Sequence, residues 1–428
     1  MDWFPLSPIQ DYLWRSSQVR QSFPDMNVTM AVLVPSCPDV DGLAVRLGRC
    51  LRRHGPLAAR FQAAEGDVRQ SASDEPLAIR VVDAASSSSA APRAATAEST
   101  RRLAWFAERG IAPETAEAVA TLSAAEKEYA FDLRTEAPTR VSVIRDGGPA
   151  ATVVFNAHHI AIDAHAMGRI LQDIDAAARG ESALADVDLS YFQYAGQQAE
   201  VARERAPKQA QYWSRLLASA DRRCEVPFFD RPTALCEVVE RTAPIGEQGP
   251  QPQAAYFAAF ARALDELGRR GGVHILSTLA NRRPALESDT VGCYFKHVVF
   301  SAPDDPSALS DNDLKAHFAV QALRTYQNVD VTLDTLLEAA RDDAGRYPAV
   351  DVGLNVRDLS HMAPGATGAA ELAPLGNHVA HERLGAHLHL TRMPGEMRAT
   401  LVHRPDWLSR DLAEALVDRV LHHTAHLA

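Results

Sequence analysis

Cysteine is scarce: five residues in 428 (Cys37, Cys50, Cys224, Cys236 and Cys293), an odd and dispersed set without a CxxC pair. That excludes a disulfide framework and the ligand spacing of a zinc site, and it suits reduced thiols in the cytoplasm. No uncharged apolar run of about 18 residues occurs, so no membrane span is expected. The N-terminus, Met1-Asp2-Trp3-Phe4-Pro5-Leu6, lacks the basic region and apolar core of a secretion signal. Basic charge is outnumbered, 44 Lys and Arg against 55 Asp and Glu, for a net charge of −11. Such a chain is a poor general binder of phosphate backbones, and no nucleic-acid partner is expected. Neither an internal repeat nor a GxSxG elbow for a serine nucleophile is found. What is present is globular: 46% apolar and 23% charged residues over 428 positions. At roughly 100–200 residues per domain, that length points to two or three lobes with ample core.

Apolar periodicity predicts a helix over 9–18, with Ile9, Leu13 and Trp14 on one face and Ser7-Pro8 as its start. Residues 28–34 read as a short strand, and 43–53 as a helix presenting Leu43, Leu47, Cys50 and Leu51. The Ser- and Ala-rich stretch 83–100 reads as a flexible surface loop. Two strand-like runs, 141–145 and 151–157, flank Asp146-Gly147-Gly148, a hairpin signal. From Asp163 the pattern turns helical through Met167, Ile170, Leu171 and Ile174, and Gly180 is placed to end it. The polar stretch 181–188 is the expected lobe boundary, giving lobes of 1–180 and 181–428. A closing helix is expected from Arg410 to about Leu421.

The chemistry concentrates in Asn156-Ala157-His158-His159-Ile160-Ala161-Ile162-Asp163-Ala164, where a strand gives way to a helix. Successive side chains of an extended segment point to opposite faces, so one histidine can act while the other packs. An imidazole titrates near neutrality and suits proton transfer. Asp163 can orient the loop by pairing with a cation. On these residues alone, packing or surface placement is the commoner fate of a His-His pair. A metal reading is weaker, because opposed histidines chelate poorly and no third ligand is near.

The rest of the chain changes those odds. Ser7-Pro-Ile-Gln10-Asp-Tyr-Leu13-Trp14 is similar to SxAQxRLW, with Ile9 and Tyr12 as departures. Arg53-His54-Gly-Pro-Leu57 and Phe61 follow RHExLRTxF, with Gly55 and Ala58 departing. Phe131-Asp132-Leu133 and Arg140 precede the histidine strand, and His158-His159 with Asp163 resembles HHxxxDG. Ser190 to Ala195 looks like YxDYAxW, and Val291 to Phe295 looks like IGxFVN, with Lys296 near its Asn position. Asp330 to Glu338 resembles HQDxPFExLVE, and Arg346, Pro348 and Asn355 fall near the RNPLFQxxFN run. Together and in order, over nearly the full length, these segments resemble the condensation domains of nonribosomal peptide synthetases, within the chloramphenicol-acetyltransferase-like superfamily. Heterocyclisation domains (DxxxxD), macrocyclising terminal domains (Ser for the first His) and oxygenase-recruiting domains (a disrupted motif) depart from what is present. So do epimerisation domains, whose EGHGRE-like stretch is absent here.

The resemblance implies an α/β (α+β) fold of two chloramphenicol-acetyltransferase-like lobes, in a V-shaped pseudo-dimer with a tunnel between them. It implies acyl transfer from a carrier-protein phosphopantetheine thioester to an amine or hydroxyl acceptor, free or carrier-bound, forming an amide or ester in natural-product biosynthesis. No intrinsic cofactor is implied, since 4′-phosphopantetheine arrives on the acyl or peptidyl carrier protein. His159 becomes the proton-handling residue, His158 a packing residue, and Arg140 the partner of a structural Asp163. Ala164, in place of the motif Gly, and Asn355 are expected along the substrate channel. Backbone NH groups after Asp163 are candidates for the oxyanion. The segment from Cys224 to Gln253 reads as shorter than the family norm. Neither an adenylation motif nor a modifiable carrier serine is found, so a free-standing enzyme meeting its donor in trans is expected. An acidic carrier then requires a local basic patch, for which Arg52/Arg53, Arg101/Arg102, Arg269/Arg270 and Arg282/Arg283 are candidates. Two other readings stay open: an O-acyltransferase using a CoA or small-molecule thioester, and an inactive recruitment platform.

Overall fold

The computed structural model describes residues 2–19, 26–64, 67–73, 75, 77–86, 97–181, 186–218, 223–227, 231, 234–244, 253–269, 272–282, 289–358, 369–373, 381–393 and 395–426. The first sheet comprises β1 (Asn27–Val34), β2 (Ile79–Asp83), β3 (Thr139–Arg145) and β4 (Ala151–His158), with a two-residue strand, Glu371–Leu372, at one edge. Its order is Glu371–Leu372, β1, β4, β3, β2, antiparallel except where β2 runs beside β3. The β3–β4 hairpin forms around Asp146-Gly147-Gly148, where Gly147 adopts φ +82°.

Helices cover both faces of this sheet, α2 (Val40–Arg52) and α5 (Ala164–Ala178) on one and α3 (Ala97–Ala107) and α4 (Pro113–Lys127) on the other, while α1 (Pro8–Val19) belongs to the same unit. β4 is consequently buried along its whole length, and side-chain parity divides its residues between two cores. Val153, Phe155 and Ala157 pack with Leu43, Leu47 and Leu51 of α2 and Ile170 and Ile174 of α5. Val154 faces the other way, among Ala116, Ala118 and Val119 of α4 and Phe106 of α3. The stretch expected as a loop is partly helical, since 97–100 open α3 and 84–86 form a short turn; residues 87–96 lie outside the described residues. The expected boundary stretch and the shortened segment are likewise only partly described, with 182–185, 228–230, 232–233 and 245–252 outside.

The chain divides into two compact units that interleave, where the sequence reading places one break at 180/181. One unit holds Met1–Ala199, Asn281–Tyr294 and Pro364–Asn377; the other holds Glu200–Ala280, Phe295–Ala363 and His378–Ala428. Specific bonds tie the returning segments into the first unit. Glu371–Leu372 pairs with β1, and Tyr191 donates its hydroxyl to the Cys293 carbonyl at 2.8 Å. Gly292 has no room for a Cβ because the Tyr191 ring lies against it.

The second unit contains a six-stranded sheet of β5 (Glu237–Pro244), β6 (His274–Leu279), β7 (Lys296–Ser301), β8 (Val352–Asp358), β9 (Ala386–Met393) and β10 (Glu396–His403). Their order is β5, β10, β9, β8, β6, β7, with β8 parallel to both β6 and β9. One face is apolar, with Ile275, Phe300, Leu354, Leu388, Leu390 and Leu401 buried. It packs under the helices Gln253–Glu266, Asp311–Gln327 and Arg410–His426. The closing helix thus runs five residues past its expected end at Leu421. Among the described residues no helix is long and apolar enough to cross a membrane.

Candidate active site

The two histidines occupy opposite sides of the sheet edge and carry opposite tautomers. His158 ends β4 with the parity of Asn156, is 4% exposed, and meets the Phe131 ring edge-on at 6.1 Å between centroids. Its Nδ1 accepts the Ile160 amide at 3.1 Å, so the lone pair sits on Nδ1 and the neutral ring carries its proton on Nε2. Burial, and secondarily the neighbouring His159, push its pKa down to about 3. His158 is a neutral structural acceptor.

His159 is half-buried and sits on the turn beyond the strand. Its amide donates to the Met26 carbonyl at 2.7 Å, fixing the backbone. Its Nδ1 lies 2.6 Å from the Ile162 carbonyl, which can only accept, so Nδ1 carries the proton and Nε2 the lone pair. A ring held this way offers Nε2 as a proton acceptor. Side chains far away in sequence brace the turn itself: Gln10 Nε2 donates to the Ile160 carbonyl at 3.0 Å and to Gln70 Oε1 at 2.9 Å. Ile160, Ala161 and Ile162 are all buried.

Asp163 caps α5 through the Ala166 amide at 2.9 Å. Its carboxylate also takes a bidentate grip from Arg282, Nε to Oδ2 at 3.0 Å and Nη2 to Oδ1 at 2.8 Å, and a bond from the Tyr294 amide at 3.2 Å. Arg282 in turn donates to the Thr290 and Gly292 carbonyls and stacks on the Tyr294 ring at 4.2 Å. The Ala166 amide is already bonded to Asp163, which removes it from the candidate oxyanion donors.

Arg140 is not the partner of Asp163. It pairs with Glu126 of α4, at 2.7 Å from Nε and 3.1 Å from Nη2, and stacks on Tyr129 at 3.8 Å. Parity is the reason: Arg140 stands opposite Asn156, on the α4 side of the sheet, whereas α5 and its Asp163 cap pack on the other side. Arg282, read from sequence as half of a surface docking pair, is buried with Asp163, their side chains 5% and 6% exposed. No local signal marks it, since 119 residues separate the partners. Of the other docking candidates, Arg53 binds Asp173 and Arg269 stacks on Trp407, while Arg52 is exposed. Arg270, Arg283 and the side chain of Arg101 lie outside the described residues.

Ala164 is exposed at the first position of α5. Asn355 lies in the second unit, on β8, with Nδ2 3.1 Å from His387 Nε2. Among the described residues no three His, Cys, Asp or Glu side chains gather to hold an ion.

This constellation sits on a chain whose residues 1–358 match the model of the Condensation domain family; the chain belongs to that family. Among curated proteins it is 24% identical over 392 residues to isonitrile lipopeptide synthase of Mycobacterium tuberculosis, covering 83% of this chain and 14% of that one. It is 23% identical over 372 residues to phosphinothricin tripeptide synthetase PhsC of Streptomyces viridochromogenes, covering 79% and 31%. The chain therefore spans less than a third of the length of these relatives. In fold it is similar to the X-domain from teicoplanin biosynthesis, with a TM-score of 0.72, 21% identity and coverage of 99% and 94%. It is also similar to the starter condensation domain of rhizomide synthetase, with a TM-score of 0.73, 13% identity and coverage of 99% and 94%. The mixed α/β architecture is that of condensation domains, the chloramphenicol-acetyltransferase-like fold.

Proposed function

We propose that this chain catalyses acyl transfer from the phosphopantetheine thioester of a carrier protein, presented in trans, to the amine or hydroxyl of an acceptor. One observation carries the reading: the Nδ1–H bond from His159 to the Ile162 carbonyl, which leaves Nε2 as the basic nitrogen on a braced turn. As the acceptor heteroatom bonds to the thioester carbon, its proton passes to His159 Nε2. Collapse of the tetrahedral adduct breaks the carbon–sulfur bond, and the proton leaves with the thiol. The thioester is already activated, so alignment and one proton transfer make up most of the task. Asp163, held by Arg282, shapes the turn and takes no proton.

The test is incubation with acyl-loaded carrier protein and a mixed panel of amines and alcohols, products being identified by mass spectrometry. A new amide or ester is expected, and His159→Ala should lower turnover by roughly 10²–10⁴-fold in a folded protein. Equal use of acyl-CoA or a minimal pantetheine thioester would replace the carrier-dependent reading with a small-molecule acyltransferase. No product from any donor would leave a recruitment platform.

A further inference from the structure

The face of the six-stranded sheet opposite its helices carries a polar strip. Gly353, Asn355 and Arg357 of β8 lie in register beside His387, His389 and Thr391 of β9. Arg357 Nη2 lies 2.9 Å from His389 Nδ1. A guanidinium only donates, so His389 holds its lone pair on Nδ1 and its proton on Nε2. The rings of His387 and His389 are 4.2 Å apart between centroids. His387 Nδ1 faces Glu382 Oε2 at 3.2 Å, and its Nε2 receives Asn355 Nδ2 at 3.1 Å. A Cβ on Gly353 would stand 2.7 Å from His387 Cδ2, so the glycine is what lets the ring lie across the strand.

Counting charges along this strip leaves Arg357 over. The carboxylate of Glu382 serves His387 and the Arg383 and Leu384 amides. Burial works to raise that carboxyl, but these three partners hold it below its usual range. Arg357 has His389 as its hydrogen-bond partner and no carboxylate among the described residues. Its neighbours in the same unit differ, Arg231 holding Asp351 and Arg262 holding Asp311. Burial lowers the pKa of Arg357 with no anion opposing it, and burial, then His387 and Arg357, lower that of His389 well below the usual range. A half-buried cation without a counter-ion is costly, and arginine does not shed its proton. Arg357 Nη2 is spent on His389 Nδ1, and neither the remaining guanidinium N–H groups nor His389 Nε2–H has an acceptor among the described residues. Asn355 Oδ1, an acceptor on the same strip, has no donor among the described residues. Asn355, Arg357, His387 and His389 all keep some exposure, so a small ligand can reach them.

We propose that Arg357 and His389 bind the carboxylate of a small free acid, such as an amino or hydroxy acid. A planar carboxylate matches the guanidinium fork. The phosphate of 4′-phosphopantetheine is the other anion of the right size.

Calorimetric titration of the full chain tests it, with leucine, phenylalanine, aspartate and phenyllactate, each beside its α-carboxamide, and with 4′-phosphopantetheine. At least one acid should bind about tenfold or more tighter than its amide. Arg357→Gln should erase that preference, Arg357→Lys should keep part of it, and both variants should melt no lower than the parent. The site is overturned by the absence of any acid preference or by a preference that survives Arg357→Gln. It is equally overturned by Arg357-dependent binding confined to 4′-phosphopantetheine, or by an Arg357→Gln variant that melts well below the parent. Binding needs no donor, so its outcome does not depend on the acyl-transfer reading.

Discussion

Asp163 and Arg357 are both sequestered charges on sheet-linked segments, and their surroundings are opposite. Asp163 is gripped by the Arg282 guanidinium and two backbone amides, so its charge is answered within its own unit. Among the described residues Arg357 meets a neutral imidazole and no carboxylate. A charge satisfied by its own chain is scaffold. One left unsatisfied either wastes stability or awaits a ligand, and Gly353 leaves room for the His387 ring on the same strip.

The sharpest way to break this contrast is at Asp163. Asp163→Ala or Arg282→Ala should each cost about 3–5 kcal/mol in chemical denaturation, because either leaves a buried partner charge stranded. The double variant should cost clearly less than the sum. Arg140→Ala should cost less than either, about 1–2 kcal/mol, since Arg140 is 31% exposed and Glu126 retains Arg80. Equal losses at Arg140 and Arg282 would show that the Asp163 grip is not what holds the turn.

His158 supplies a pH test of the paired region. Its pKa falls from an ordinary 6.5 to about 3 on folding, so between those values the unfolded chain binds a proton that the folded chain refuses. Its stabilising share is complete above about pH 6.5 and drains as pH drops towards 3, by up to 1.36 kcal/mol per pH unit, or about 2 kcal/mol by pH 5. Denaturation midpoints of the parent and His158→Asn across that range should converge as pH is lowered. Parallel curves would mean that His158 is not held neutral.

The smallest effect is expected at Ala164. It is exposed at the first turn of α5 and contacts neither Asp163's partners nor the His159 ring in any bond described above. Ala164→Gly should therefore cost under about 1 kcal/mol, through helix propensity alone. Bulky and small acceptors should be affected equally; a change in size selectivity would restore the wall of a channel.

Much of the first unit was legible in local pattern. The hairpin at Asp146-Gly147-Gly148, the helix following Asp163 and its end near Gly180 appear within a residue or two of where periodicity places them. The opposed directions of His158 and His159 follow from a period of two and needed no coordinates. Local pattern failed where helix signals entered a Ser/Ala-rich run, since small residues suit both a loop and a helix such as α3. It also failed for lobe division, because the segments returning to the first unit are short and lie far along the chain from it.

What the sequence by itself determined is the order of motifs, the strand-to-helix turn bearing His159, and membership of the condensation family. Tertiary structure alone decided which charges meet. Sheet parity sent Arg140 to Glu126, and a returning segment delivered Arg282 to Asp163. Parallel pairing of β8 with β9 set Arg357 beside His389, 32 residues away, with no carboxylate among the described residues to answer it. Secondary structure is written in spacings of a few residues, whereas an ion pair depends on distance in space, and the chain between two partners leaves no trace of it.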